Sequence, residues 1–356
     1  VINPVDIIEQ TARSITPQDD TTRARAIERL GRLAMPYWAL GRLMDLAVDL
    51  AGMTCSLRPA CSRKAVIIMA ADHGVAEQGV SRYPREVTLQ MVHNIIAGGA
   101  GINALARQAR AEVFAVDMGV AGDLSEFEGA KGFISRSIDK GTKDIARGPA
   151  MTRDQAVRSI ICGIEIVNDM AEDFDVFATG DMGIGNTTPS AAIVSALTKE
   201  PTDMIAGRGT GIDDEGLMLK VGLIEKAIDN NRPDVTDGID VLTKLGGFEI
   251  GGIAGVVLGA ASRKRPLIID GFISTAGAMV AYLINPTVGD YIIAAHKSLE
   301  PGHIKALEYI KKQPLLDLNM RLGEGTGAAL AMNLVEAACN VLTDIATFEE
   351  AHVSRV

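Results

Sequence analysis

A chain of 356 residues has room for one large or two modest domains around a substantial core. Hydrophobic residues make up 47% of it and aromatics only 4%, so that core must be aliphatic. The net charge of −10 excludes the basic footprint of a nucleic-acid binder or of a protein resting on an anionic membrane, and any phosphate must be met locally.

The 37 glycines show no collagen-like period and imply many tight loops. Cys55, Cys61, Cys162 and Cys339 form no C-x-x-C pair, and His73, His93, His296, His303 and His352 are dispersed. That spacing points to reduced, structural thiols and assigns no metal. The start, Val1-Ile2-Asn3-Pro4-Val5-Asp6, carries no basic region followed by an apolar run. The apolar stretch from Phe248 to Ser262 contains Glu249 and several glycines and falls short of a bilayer span. These features predict a soluble, cytoplasmic protein without membrane contact.

Residues 1–60 read as helices with no strong strand. Asp19-Asp20-Thr21-Thr22 offers a cap for the segment through Leu30, and Leu40 to Val48 has apolar residues at helical spacing. Such helices need cover for their apolar faces, from the main domain or from a second subunit. From residue 65, short apolar runs stop abruptly at small, acidic or histidine residues. Ala65 to Met69 ends in Ala71-Asp72-His73-Gly74, Val113 to Val116 in Asp117-Met118-Gly119, and Val176 to Ala178 in Gly180-Asp181. Leu267 to Ile269 ends in Asp270-Gly271, and Tyr291 to Ala295 in His296-Lys297-Ser298. Runs apolar on both faces suit strands of a buried parallel sheet.

Helix-like segments lie between the runs, among them the capping box Thr152-Arg153-Asp154-Gln155 opening a helix to about Met170, and Asp214 to Ile228. The alternation predicts an α/β fold: a doubly wound, mostly parallel, Rossmann-like sheet with helices on both faces, plus a smaller helical domain from the N- and C-terminal segments. The expected boundaries are a helical segment at 1–60, the α/β domain at 61–310 and a C-terminal segment at 311–356. In such folds ligands sit beyond the carboxyl ends of the strands, so the polar ends of these runs should converge on one site.

Thr179 to Ser190 reads as strand, glycine loop and helix, with Asn186 or Thr188 able to cap and Pro189 in the first turn. Its free N–H groups suit an anion, but its spacing matches neither G-x-G-x-x-G nor the P-loop, and a plain strand-to-helix turn remains an alternative. Gly207 to Gly211 precedes the helix carrying Lys220, giving backbone donors and a cation for a phosphate, or simply a flexible loop with an exposed lysine. Lys297-Ser298 adds a further donor. Glu324 stands between glycines before the helix-like stretch Ala328 to Val341. Its spacing fits a helix-stabilising acid better than a general base. His73 and His93 are candidate acid-base groups, but a turn-holding role suits His73 better and packing suits His93; Asp72, Asp117 and Asp270 are a candidate metal set, but capping of neighbouring turns suits them better and no metal is assigned.

Taken together, several stretches resemble the nicotinate-nucleotide-dimethylbenzimidazole phosphoribosyltransferase family, in its order, over about residues 40–340. They are Ala71 to Val75, Gly79 to Thr88, Gly98 to Asn103, Gly180 to Thr188, Gly207 to Gly211, Asp270 to Ile273 and Arg321 to Gly325. The resemblance implies transfer of phosphoribosyl from nicotinate mononucleotide to a benzimidazole-type base, without cofactor or metal, in a homodimer. It makes Glu324 the catalytic base and Asp181 a second acid. It gives the phosphate to Gly209, Lys220 and Ser298, backbone N–H groups near nicotinate to Met182 and Gly183, and the base pocket to Ser81, Tyr83, Gln90 and Leu322.

The chain departs from the family pattern at Pro36-Tyr37-Trp38-Ala39 and Met44, where many members have a Pro-Gly-Ser-type turn and a glutamate, and at Asn319, where a glycine is expected. Those changes bear on the acceptor pocket or the dimer. The same transfer to a phenolic or purine acceptor, a non-catalytic nucleotide-binding protein, and a metal-dependent phosphohydrolase stand as alternatives.

Overall fold

The computed structural model describes residues 3–354. Residues 1–2 and 355–356, at the outer ends of the two predicted terminal segments, lie outside the described residues.

The chain opens with helices α1 (Pro4–Ser14), α2 (Asp20–Leu30) and α3 (Arg42–Thr54). The Asp19 side chain caps α2 by accepting the Thr22 N–H at 2.6 Å. Strand β1 (Lys64–Ala71) leads through a short 3-10 turn to α4 (Val87–Ile96) and α5 (Gly101–Ala109), then to β2 (Ala111–Gly119) and the short β3 (Phe133–Ser135). Helix α6 (Arg153–Met170) starts with the predicted capping box, Thr152 and Gln155 satisfying each other's backbone N–H groups. Then follow β4 (Val176–Met182), α7 (Thr187–Thr198), α8 (Thr202–Ile205), α9 (Asp214–Asn231), α10 (Gly238–Leu245) and α11 (Phe248–Ser262). The chain closes with β5 (Leu267–Ile269), α12 (Phe272–Ile284), β6 (Ile292–Ala294), α13 (His303–Tyr309) and α14 (Thr326–Asp344).

The strands form one 6-stranded parallel sheet in the order β3-β2-β1-β4-β5-β6. Every residue of β1 and β4 is buried, as sheet strands covered on both faces require. Successive side chains of β1 point to opposite faces: Met69 meets Gly252 of α11, whereas Val66 meets Gly325 at the start of α14. Chain order reverses between β1 and β4, which opens a crevice beyond their carboxyl ends.

Helix α11 is apolar because it is buried from Phe248 through Ala261, sandwiched between the sheet and α6. Small residues let the two helices touch backbone to backbone. A methyl group at Gly163 of α6 would overlap the Gly252 carbonyl oxygen and stand 2.6 Å from the Val256 nitrogen. On the other face α14 packs against α5 and α3, and α2 packs on α3, which supplies the cover the N-terminal helices needed.

The structure corrects two sequence expectations here. Cys61, just before β1, is disulfide-bonded to Cys339 of α14, and only Cys55 and Cys162 are free thiols among the described residues. Neither Asn186 nor Thr188 caps α7 with its side chain: Thr188 lies inside the helix with its hydroxyl unpartnered, and Asn186 turns its amide toward Asp181. No helix among the described residues is long and apolar enough to cross a membrane.

Candidate active site

A cavity of about 520 Å³ lies beyond the carboxyl ends of β4, β5 and β6. The loop from β4 to α7 contributes Asp181, Met182, Gly183, Ile184, Asn186 and Thr187 to its wall. Gly271, Phe272 and Ile273 follow β5, and His296, Ser298 and Glu300 follow β6. Arg321 to Glu324 form one side, Gly209 and Thr210 another, and Tyr83, Val87 and Met91 face them from α4 and the loop before it. An apolar wall beside a few convergent polar groups suits a small organic ligand.

Glu324 sits in a run of three left-handed residues, Gly323 at φ 81°, Glu324 at 60° and Gly325 at 81°. Glycine tolerates that region freely, whereas glutamate is held there by its surroundings. The loop lies on the end of β4 so closely that a methyl group at Gly180 would stand 2.7 Å from the Glu324 carbonyl carbon. The carboxylate is 5% exposed and its Oε2 has no hydrogen-bond partner. Burial raises its pKa above the ordinary glutamate value, against the lowering effect of the Ile102 N–H. A carboxylate so placed has proton affinity to spare.

Asp181 accepts the Asn186 side-chain N–H at 2.9 Å. Burial pushes its pKa up to about 8, with the charges of Asp270, Glu249 and Glu324 adding to the effect. The rest of the glycine loop is pinned from α4, where the Thr88 hydroxyl accepts the Ile184 N–H at 3.0 Å.

The predicted phosphate groups gather around Glu300. Its Oε1 accepts the Gly209 N–H at 3.0 Å, and its own N–H reaches the Ser298 hydroxyl at 3.3 Å. Lys220 is fully buried and does not line the cavity; its ammonium donates to the Thr187 hydroxyl and the Gly207 carbonyl, each at 2.8 Å. Burial lowers its pKa to about 8, against the pull of Glu300. Lys297 pairs instead with Asp317 at 3.3 Å.

Of the residues proposed from sequence, Tyr83, Asp181, Met182, Gly183, Gly209, Ser298, Leu322 and Glu324 line the cavity together. Ser81 stands behind the wall, its hydroxyl 3.0 Å from that of Thr210, and Gln90 is exposed on α4 outside the lining. The sequence reading left out His296, Glu300, Asn186, Thr187, Arg321, Val87, Met91 and Phe272 as wall residues. Arg321 carried a usable signal, being the one cation beside the glycines that flank Glu324. The apolar ones look like any core residue of a helix.

The remaining candidates support the wall from behind. His73 Nε2 lies 2.8 Å from Glu249 Oε1, tying the end of β1 to α11, with both side chains buried. Asp72 accepts the Ala121 N–H, and Asp117 those of Gly119 and Val120, as acids capping turns do. His303 Nδ1 accepts the Ser298 N–H at 2.9 Å, and its Nε2 meets the Thr275 hydroxyl at 2.9 Å. Burial pushes its pKa down to about 3, so it is neutral. His93 stacks edge-on against Phe127.

A parallel α/β sheet whose strand ends hold a buried carboxylate over a largely apolar cavity is the frame of an enzyme acting on a small molecule. Residues 15–353 match the family described as phosphoribosyltransferase. Curated relatives named nicotinate-nucleotide--dimethylbenzimidazole phosphoribosyltransferase are similar over almost their whole length. The one from Syntrophotalea carbinolica is 57% identical over 99% of both chains, and that from Desulfotalea psychrophila 52% identical over 98% of this chain and 99% of its own. A crystal structure of the enzyme of that name from Thermus thermophilus superposes with a TM-score of 0.89 at 42% identity, covering 95% of this chain and 100% of the other. The chain belongs to the nicotinate-nucleotide-dimethylbenzimidazole phosphoribosyltransferase family and is an enzyme of the phosphoribosyltransferase class.

Proposed function

We propose that this enzyme transfers phosphoribosyl from nicotinate mononucleotide to dimethylbenzimidazole, releasing nicotinate and alpha-ribazole phosphate, with Glu324 as general base. One acceptor nitrogen forms a bond to the anomeric carbon as the bond from that carbon to the pyridinium nitrogen breaks. The breaking pair returns to the nicotinate ring and neutralises it, so the leaving group needs no proton. The acceptor's other N–H gives up its proton to Glu324, and a base of this kind contributes typically ~10²–10⁴ in rate. The observation that carries the reading is the buried Glu324 carboxylate on the cavity wall with an unpartnered Oε2.

Asp181, on the same wall beside Glu324, suits contact with the pyridinium, whose positive charge favours the ionised form of its carboxyl. Gly209, Ser298 and the loop braced by Lys220 suit the phosphate, and Tyr83, Val87, Met91 and Leu322 suit the flat apolar acceptor. Ser81 reaches the wall only through Thr210, and Gln90 stands outside it, so neither carries the reading of the acceptor pocket. The exposed side chains of Tyr37 and Leu40, beside α3, support contact with a second copy of the chain; light scattering at two concentrations tests the dimer.

The test of the transfer is direct. Purified protein incubated with nicotinate mononucleotide and dimethylbenzimidazole should yield nicotinate and ribotide in equal amounts by chromatography, and neither when one substrate is omitted. Nicotinate release without ribotide would identify a hydrolase, and no product at all would contradict the proposal.

A further inference from the structure

Helix α14 begins without a cap of its own. Its N-cap residue is Gly325, no side chain within the segment bonds its free N–H groups, and its first turn contains no acid. The missing acceptor comes from the end of β5. Asp270, 1% exposed, accepts the Gly325 N–H through Oδ2 at 3.1 Å and the Ala328 N–H through Oδ1 at 3.0 Å. A carboxylate that takes the unpaired N–H groups of a helix start fixes both the helix and the chain entering it.

The entering chain is the left-handed run 323–325 that carries Glu324. Within the run, Thr326 binds back to the Gly323 carbonyl through its N–H and its hydroxyl, and this closes the turn without fixing it to the sheet. Asp270 makes that attachment, one residue beyond Glu324. It does not line the cavity, so it acts on substrate only through neighbouring groups, and the attachment it makes is to the loop of Glu324. Three titratable groups face it: Glu324 from the loop, Asp181 from β4, and His296 from the end of β6, whose Nε2 lies 3.7 Å from Asp270 Oδ1. The His296 ring also packs on Gly327 in the first turn of α14.

We propose that Asp270 is the positioning residue of the reaction: by capping α14 from the neighbouring strand it holds the Glu324 carboxylate at the acceptor's N–H. The proposal rests on the reading of Glu324 as base, and its test separates the two. Asp270→Ala removes both acceptors, while Asp270→Asn keeps one oxygen for one of the two N–H groups. Each variant is assayed with dimethylbenzimidazole and with a chlorinated benzimidazole, whose N–H is more acidic and asks less of the base.

With dimethylbenzimidazole, kcat should fall by roughly 10²-fold in Asp270→Ala and by less in Asp270→Asn, with both KM values within about threefold of wild type. With the chlorinated acceptor the loss should shrink severalfold. An equal loss with both acceptors, or a raised KM at unchanged kcat, would overturn the proposal in favour of a role in folding or binding. If Asp270→Ala does not fold, Asp270→Asn alone carries the comparison. Failure of the parent reading shows elsewhere: Glu324→Gln would then retain the wild-type rate whatever Asp270 does.

Discussion

The backbone of Glu324 rests on the bare Cα of Gly180: a methyl group there would stand 2.7 Å from the Glu324 carbonyl carbon and 2.7 Å from the Gly325 nitrogen. The end of β4 and the loop of Glu324 are thus fitted to one another, and displacing either displaces the carboxylate. Gly180→Ala should lower kcat by roughly 10²-fold, the cost of misplacing a reacting group by about an ångström, with a much smaller change in the donor's KM. Steady-state kinetics check it, and an unchanged kcat would show that the loop absorbs the methyl group.

The pH profile follows from the burial of Glu324. Its carboxyl holds a proton above the ordinary value of 4.5, and it serves as base only when ionised. The kcat should therefore decline as pH falls through a value above 4.5, and Glu324→Asp should move that limb. A limb at or below the ordinary value would remove desolvation from the account.

Stability should run the other way with pH. Asp181 and Asp270 bind protons in the folded state up to about 8 and about 7, whereas the unfolded chain releases them near 3.8. The folded state takes up protons the unfolded state lacks, so this contribution is complete below the unfolded value and is lost as pH rises through the folded values. Asp181→Asn, whose amide oxygen still accepts from Asn186, should gain Tm over wild type, and gain more at about pH 9 than at about pH 5. Thermal melts at the two pH values check the difference, and a gain that is the same at both would contradict it.

Much of the fold could be read in the sequence because β1, β4, β5 and β6 are buried throughout and β2 over its second half, so they announce themselves as apolar runs with abrupt polar ends. β3, Phe133-Ile134-Ser135 at the sheet edge, buries only its first residue fully and ends on an exposed serine, so it carries no apolar run. The Cys61–Cys339 bond was hidden by a separation of 278 residues. Glu324 is the instructive case. Its spacing before a helix suggested a helix-stabilising acid, and α14 does have one, but it is Asp270, 55 residues before Gly325. Glu324 itself takes the Ile102 N–H at the start of α5 and keeps its Oε2 unpartnered on the cavity wall, a placement that only the folded chain displays. Asn186 and Lys220 were legible as polar groups near a loop, not as the braces of Asp181 and Thr187 that they are.

Lys220 separates binding from chemistry. Its ammonium braces the Thr187 hydroxyl and the Gly207 carbonyl, and a methyl group at Gly209 would stand 3.6 Å from it. Lys220→Met should raise the KM for nicotinate mononucleotide by about tenfold or more and leave kcat at saturation within a fewfold, the pattern of lost uniform binding. A fall in kcat alone would place the lysine's role in the transition state.

The central claim is that a single carboxylate takes the acceptor's proton, and Glu324→Gln tests it most directly, since the amide keeps the shape and loses the base. Measured beside wild type with nicotinate mononucleotide and dimethylbenzimidazole at saturating concentrations, kcat should drop by ~10²–10⁴ while both KM values stay near wild type. A variant that turns over at the wild-type rate would show that the proton leaves by another route and that Glu324 is part of the wall.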